Sequence, residues 1–161
     1  MVRQVSTPIG FGGISTRSQI LDSTSVPEQR PARGILDTSV VIDLERIDPR
    51  TLPVEVAVTA ITMAELAAGP HATTDPAEKA RRQDRLQRAE AAFDALAFDT
   101  AAARAYGLIY AAVMAQGRKA RGARAVDLLI AAVAAARGIP LVTRNPEDFT
   151  GLAGIVTVIE V

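Results

Sequence analysis

The sequence contains no cysteine, one histidine and few aromatic residues, which make up 4% of the chain. Without cysteine there is no disulfide framework, no thiolate metal site and no thiol nucleophile, and a cytoplasmic setting is expected. The lone histidine, His71, excludes chemistry shared by two imidazoles. It follows Gly69-Pro70, where an ordinary surface loop residue is expected. Phe93, Phe98, Tyr106, Tyr110 and Phe149 fall at core-like spacings, so no base-stacking platform is expected. No apolar run reaches the ~18 residues of a membrane-spanning helix, and residues 1–33 lack the pattern of a secretory signal. No excess of either charge exists: 18 basic residues balance 18 acidic ones. That balance argues against a generally basic nucleic-acid binder but leaves local clusters open. Lysine is nearly missing too, with only Lys79 and Lys119. The arginines that replace it suit phosphate recognition through a planar fork, although a GC-rich genome would produce the same bias.

What is present indicates one folded domain. The chain has 161 residues, 48% of them apolar, enough for one core. Residues 1–33 are rich in Ser, Thr, Gly, Pro, Gln and Arg without apolar periodicity, and read as a flexible amino-terminal extension. The domain is expected over 34–161. Its elements are a strand at Gly34–Leu36, a short helix over Val40–Arg46 and a strand over Val54–Ala60. A helix capped by Thr62 then runs to Gly69-Pro70, and a long helix covers Pro76–Ala97. Asp99-Thr100 caps the next helix, to Gln116, and Gly117–Arg124 is a basic loop. "AVDLLIAAVAAARG" is a helix too apolar for the surface, closed by Gly138 in a left-handed cap. "IPLVT" is a buried strand, "RNPEDF" a loop and Ile155–Val161 a last strand. Strands alternating with helices predict an α/β domain, a mostly parallel sheet flanked by helices in three layers.

The acids carry the chemistry. Ligands of open parallel sheets bind beyond the carboxyl ends of the strands. Asp37 ends the first strand, Asn145 and Asp148 follow "PLVT", Glu65 sits early in the helix after the second strand, and Asp127 opens the apolar helix. Each has an ordinary explanation: Asp37, Thr38 or Ser39 as a helix cap, Thr62 to Glu65 as a capping box, Asp127 as a charge favoured by the helix dipole, Asp148 as a turn residue. Together they are harder to explain, because Glu65 and Asp127 are embedded in apolar segments. Clustered carboxylates raise each other's pKa unless a cation neutralises them. A hard divalent ion with oxygen ligands, Mg²⁺ for example, resolves the conflict.

"ILDTSVVIDL", "TAITMAELAAG" and "RAVDLLIAAVAAARGIPLVTRNPEDF", in that order, resemble the PIN-domain ribonucleases, and among them the VapC-type toxins of toxin–antitoxin pairs. The resemblance runs from about Gly34 to Val161. It implies a PIN-like fold and a metal-dependent endoribonuclease, with Asp37, Glu65 and Asp127 matching the first three site acids. The fourth falls in "TRNPEDF", as Asp148 or Asn145; Asp148 is the choice, with Asn145 a polar neighbour. Asp37, Asp127 and Asp148 are the implied ligands of Mg²⁺, with Mn²⁺ a substitute. Glu65 or Asp148 would orient or deprotonate the attacking water. Thr38, Ser39 and Thr143 would hydrogen-bond a phosphate or a bound water. Arg118, Lys119, Arg121, Arg124 and Arg144 are candidates for RNA phosphate contacts. The run Arg81, Arg82, Arg85 and Arg88, interleaved with Asp84, reads as a solvated helix face. The family further implies a tRNA or rRNA substrate, a cognate VapB-type antitoxin and homodimerisation, plausibly through "YGLIYAAVMA". Two rivals compete: a non-catalytic PIN-like module binding RNA or a partner, and a receiver- or phosphatase-type α/β domain. The second lacks its paired acid beside Asp37 and a lysine after "PLVT".

Overall fold

Four short strands build one sheet: β1 (Arg33–Leu36), β2 (Glu55–Ala57), β3 (Leu141–Thr143) and β4 (Val158–Glu160). Their order across the sheet is β2-β1-β3-β4, and every neighbouring pair is parallel. The computed structural model describes residues 30–161. The expected extension therefore lies, over residues 1–29, outside the described residues. Pro31 and Ala32 accept backbone bonds from Val54 and Glu55, ahead of the Gly34 start read from the sequence.

Alternation along the strands sorts two cores onto opposite faces of the sheet. Ile35 and Leu141 point to one face and join Ile109 and Val113 of α4 (Thr100–Ala115) with Leu128, Ile130 and Val133 of α5 (Ala123–Arg137). Leu36 and Val142 point to the other. They meet Val40 and Val41 of α1 (Thr38–Ile42), Leu66 of α2 (Ala60–Ala68), and Leu86 and Ala89 of α3 (Pro76–Ala92). Helices on both faces make the three layers expected from the strand–helix alternation. β1 is squeezed in the middle: a Cβ on Gly34 would lie 2.5 Å from Pro53 Cγ and 2.7 Å from Val142 Cγ2, so only glycine fits.

Several boundaries differ from the sequence reading. The first helix starts at Thr38, not Val40, and stops at Ile42; a 3₁₀ turn over Leu44–Arg46 follows. α2 is capped by Thr59, whose hydroxyl accepts from Thr62 N at 3.0 Å, so Thr62 lies inside the helix. α3 ends at Ala92 rather than Ala97, because Leu96 turns back beside the sheet: its amide donates to Val58 O and its carbonyl accepts from Ala60 N. The second and last strands are shorter than Val54–Ala60 and Ile155–Val161. α5 begins at Ala123, inside the expected basic loop, since Gly122 at φ +64° turns the chain into the helix. Asp99 caps α4 through Ala102 N, and Gly138 closes α5 in the left-handed region at φ +62°, both as expected. No helix of the described residues is long and apolar enough to cross a membrane.

Candidate active site

β1 and β3 are neighbours from which the chain departs to opposite flanks, β1 toward β2 and β3 toward β4. That is where the strand order reverses and a crevice opens at the carboxyl ends of an open parallel sheet. Asp37 stands at the end of β1 in this crevice, its amide bonded to Val142 O at 2.9 Å. Its side chain is only 4% exposed. Oδ2 accepts from Ser39 Oγ at 2.8 Å and from Thr143 Oγ1 at 2.9 Å. Oδ1 is buried and has no hydrogen-bond partner among the described residues. Although Asp37 occupies the cap position of α1, its side chain makes no capping bond, so capping does not account for it. A buried carboxylate oxygen left without a partner is costly.

The hydroxyls around Asp37 are themselves fixed. Thr143, fully buried at the end of β3, accepts from Asn145 N at 3.0 Å while donating to Asp37. Ser39 Oγ accepts from Arg144 N at 3.3 Å. Thr38 turns the other way and donates to Glu65 Oε2.

Glu65 lies in the middle of α2, since that helix is capped at Thr59, and the Thr62 capping-box explanation fails with it. Burial pushes its carboxyl above the ordinary range, the Thr38 bond opposes this, and the Asp37 charge adds to it. Asp127 sits in α5 beyond its first turn, not at its opening, so the helix dipole gives it little support. Burial raises its pKa to about 7, helped by the charges of Asp37, Asp148 and Glu65 and opposed by Arg124. The charges of Asp37 at the end of β1, Glu65 in α2 and Asp148 in the 3₁₀ turn over Pro146–Phe149 therefore all reach Asp127 in α5.

Asp148, in that turn, pairs with Arg124 Nη2 at 3.7 Å. Asn145 is exposed, and its side chain makes no capping bond. Of the two, Asp148 is the one whose charge reaches Asp127. Among the described residues no three acids already stand around one ion-sized point. The donor set is nonetheless all oxygen and anionic, and Asp37 Oδ1 is a buried acceptor without a donor, which suits a hard divalent cation.

The expected cationic residues divide. Arg118 donates to Thr150 O and Glu147 O, both at 3.3 Å, bracing the Asp148 turn. Arg124 pairs with Asp148 and Arg144 with Asp43. Lys119 and Arg121 are exposed and form no ion pair among the described residues. On α3, Arg81, paired with Glu78, and Arg88, paired with Glu45 and Asp84, are exposed as expected of a solvated face, whereas Arg82, also paired with Glu78, and Arg85 are half-buried. His71 is exposed, also as expected.

Sequence reasoning missed two features. Asp43, which holds Arg144, closes "VVID" and carried no assignment in the sequence reading. Arg82 and Arg85 line a cleft of about 270 Å³ together with Thr38, Ile42 and Glu65. Their spacing from Leu86 and Ala89, the buried face of α3, is the signal that could have found them.

The PIN domain family profile matches residues 34–154. The chain is 37% identical over 131 residues to a protein named Ribonuclease VapC5 from Mycobacterium tuberculosis, covering 80% of this chain and 93% of that one. Its fold matches the crystal structure of VapBC-5, a member of the VapBC family of toxin-antitoxin systems from the same organism. There the TM-score is 0.72 at 38% identity, over 81% of this chain and 100% of that one. FitAcB from Neisseria gonorrhoeae matches with a TM-score of 0.63 at 27% identity, over 79% and 96%.

Proposed function

This chain belongs to the PIN-domain family as a VapC-type member, and from that premise we propose that it is a metal-dependent endoribonuclease toxin held in check by a VapB-type antitoxin. The observation that carries the reading is Asp37, a buried carboxylate whose Oδ1 has no partner among the described residues and whose charge, with those of Glu65 and Asp148, reaches Asp127. Asp37, Asp127 and Asp148 would hold Mg²⁺, or Mn²⁺ in its place. When bound, the ion supplies charge to a phosphoryl oxygen and a more acidic water.

The chain's own residues do the remaining work. Ser39 and Thr143 fix the Asp37 carboxylate, so the site is built before substrate arrives. Glu65 has no cation paired to it among the described residues and its pKa is raised, whereas Asp148 faces Arg124 at 3.7 Å and is assigned to the ion. Glu65 is therefore the stronger candidate to take the proton of the attacking water, with Thr38 holding its Oε2. The water oxygen bonds to phosphorus as its proton passes to Glu65, the bond to the 3′ oxygen breaks, and that oxygen takes a proton from solvent, leaving a 5′-phosphate and a 3′-hydroxyl. Arg118, Arg124 and Arg144 reach RNA only by sharing or leaving their internal partners. Lys119 and Arg121 are free to approach it directly.

The substrate class is a structured RNA, tRNA or rRNA, in the cytoplasm. Leu108, Tyr110 and Met114 expose apolar surface on α4 and support a homodimer through that helix. The test incubates the purified protein with a tRNA and rRNA panel in Mg²⁺ or Mn²⁺, then with chelator. Metal-dependent cleavage lost in Asp37→Ala and Asp127→Ala is the expected result. Cleavage that survives either substitution overturns the reading, and binding without cleavage favours a non-catalytic RNA-binding module.

A further inference from the structure

The cleft beside Glu65 contains an arginine without a stated task. On α3, Glu78 accepts from Arg82 Nε at 2.7 Å and lies 2.7 Å from Arg81 Nη2, which satisfies one carboxylate with two cations. Arg82 also donates to Gly69 O at 3.0 Å. About two turns further, Arg88 is shared between Glu45 and Asp84. Arg85 lies between these groups, half-buried, and forms no ion pair among the described residues. It is also the one arginine lining both cavities on this flank. The first holds Thr38, Glu65 and Arg82; the second, of about 230 Å³, runs on past Ile42 to Phe93. The cleft joins the acid crevice through the Thr38–Glu65 hydrogen bond.

Arg85 lines both cavities and has no counter-ion among the described residues, so its charge is open to an anion that enters the cleft. A polyanion crossing the acid crevice must leave it on some side, and among the described cations that line the cavities on this side, Arg85 is the one without an ion pair. We propose that Arg85 holds a backbone phosphate of the RNA strand flanking the one being cut, and so sets the path of the strand past Glu65. The inference rests on the ribonuclease reading for its substrate. Arg85 is a positioning residue: it grips a phosphate that does not react, by charge and paired N–H donors.

The test measures binding of a short mixed-sequence single-stranded RNA in the Asp127→Asn background, so that the RNA is not cut, across a range of salt. Arg85→Ala is expected to weaken binding about tenfold and to lower the log–log salt slope by roughly 0.7, the share of one phosphate contact on a single strand. Arg85→Lys keeps most of the slope, because the charge remains. Arg88→Ala, whose side chain is already paired, leaves both quantities unchanged. In the wild-type background Arg85→Ala raises KM while kcat holds. Equal affinity and slope in the Arg85→Ala protein, with its thermal midpoint intact, overturn the inference even if the wild type cuts RNA. A protein that cuts no RNA but still shows the slope change defeats the ribonuclease reading and leaves Arg85 as a phosphate contact. Loss of affinity for a protein partner alone, with RNA binding unaltered, assigns Arg85 to that partner and removes it from the strand path.

Discussion

The two halves of the acid crevice are built on different principles. The strand half, Asp37 with Thr143, is buried, tied into the sheet by Asp37 N to Val142 O, and wired by the hydroxyls of Thr143 and of the partly buried Ser39. The helix half, Asp127 and Asp148 with Arg124, stands half-exposed on α5 and a 3₁₀ turn, and is governed by charge. Buried networks are unforgiving when cut, whereas a partly exposed ion pair is screened and contributes little to stability. Position is thus set in the sheet, and the charge balance is adjusted on the helix.

That contrast breaks most visibly at Asp37. Asp37→Ala should lower metal-dependent cleavage by more than about 100-fold, above the loss typical of residues that only support a ligand; a single-turnover assay with the chain still folded by circular dichroism decides it. Next comes Asp127→Asn, read by pH. The folded pKa of about 7 lies above the ordinary 3.8, so between those values the folded, metal-free protein binds more protons than the unfolded chain. Stability should therefore fall as pH rises through that window and level off above it. Calorimetry in chelator should find the Asn variant melting above wild type at about pH 8 and converging with it near pH 4. Parallel curves would mean Asp127 does not feel its neighbours. Thr143→Val keeps the shape of the side chain but removes the donor to Asp37, and should cost about tenfold in kcat with metal affinity weakened. The smallest effect belongs to Arg124→Gln, at about threefold in kcat, since its pair with Asp148 spans 3.7 Å in a half-exposed setting. A loss at Arg124 as large as that at Thr143 would erase the distinction between the halves.

Local signals that act within a few residues were legible in the sequence. Asp99 caps α4 and Gly138 closes α5 because each needs only its own neighbours' amides and carbonyls. The alternation of strands and helices gave the parallel sheet and its layers, and the apolar composition of α5 gave its burial. Signals that depend on distant partners were hidden. Thr62 looked like a cap because Thr59, the real one, sat in an apparent strand. Leu96 continued the spacing of α3, yet its backbone is claimed by Val58 and Ala60. The acids Asp37, Glu65, Asp127 and Asp148 could be named one at a time. Their convergence at the carboxyl ends of the strands followed from the parallel α/β pattern, while the partners that fix each one, such as Thr143 for Asp37, depend on the crossover that sets β3 beside β1. Arg85 was hidden for the opposite reason: its charged neighbours made an ordinary surface helix the obvious reading.

The sheet that divides the cores also partitions the effects of mutation. Ile35 and Leu36 are consecutive, yet one belongs to the α4–α5 side and the other to the α1–α3 side. Substitutions on the two sides should combine almost additively, as distant sites do. Lineages of this protein can therefore remodel the α3 flank, where the strand path past Glu65 runs, without retuning the packing beneath Asp127. Target choice and cutting chemistry are then free to drift at separate rates within one small domain.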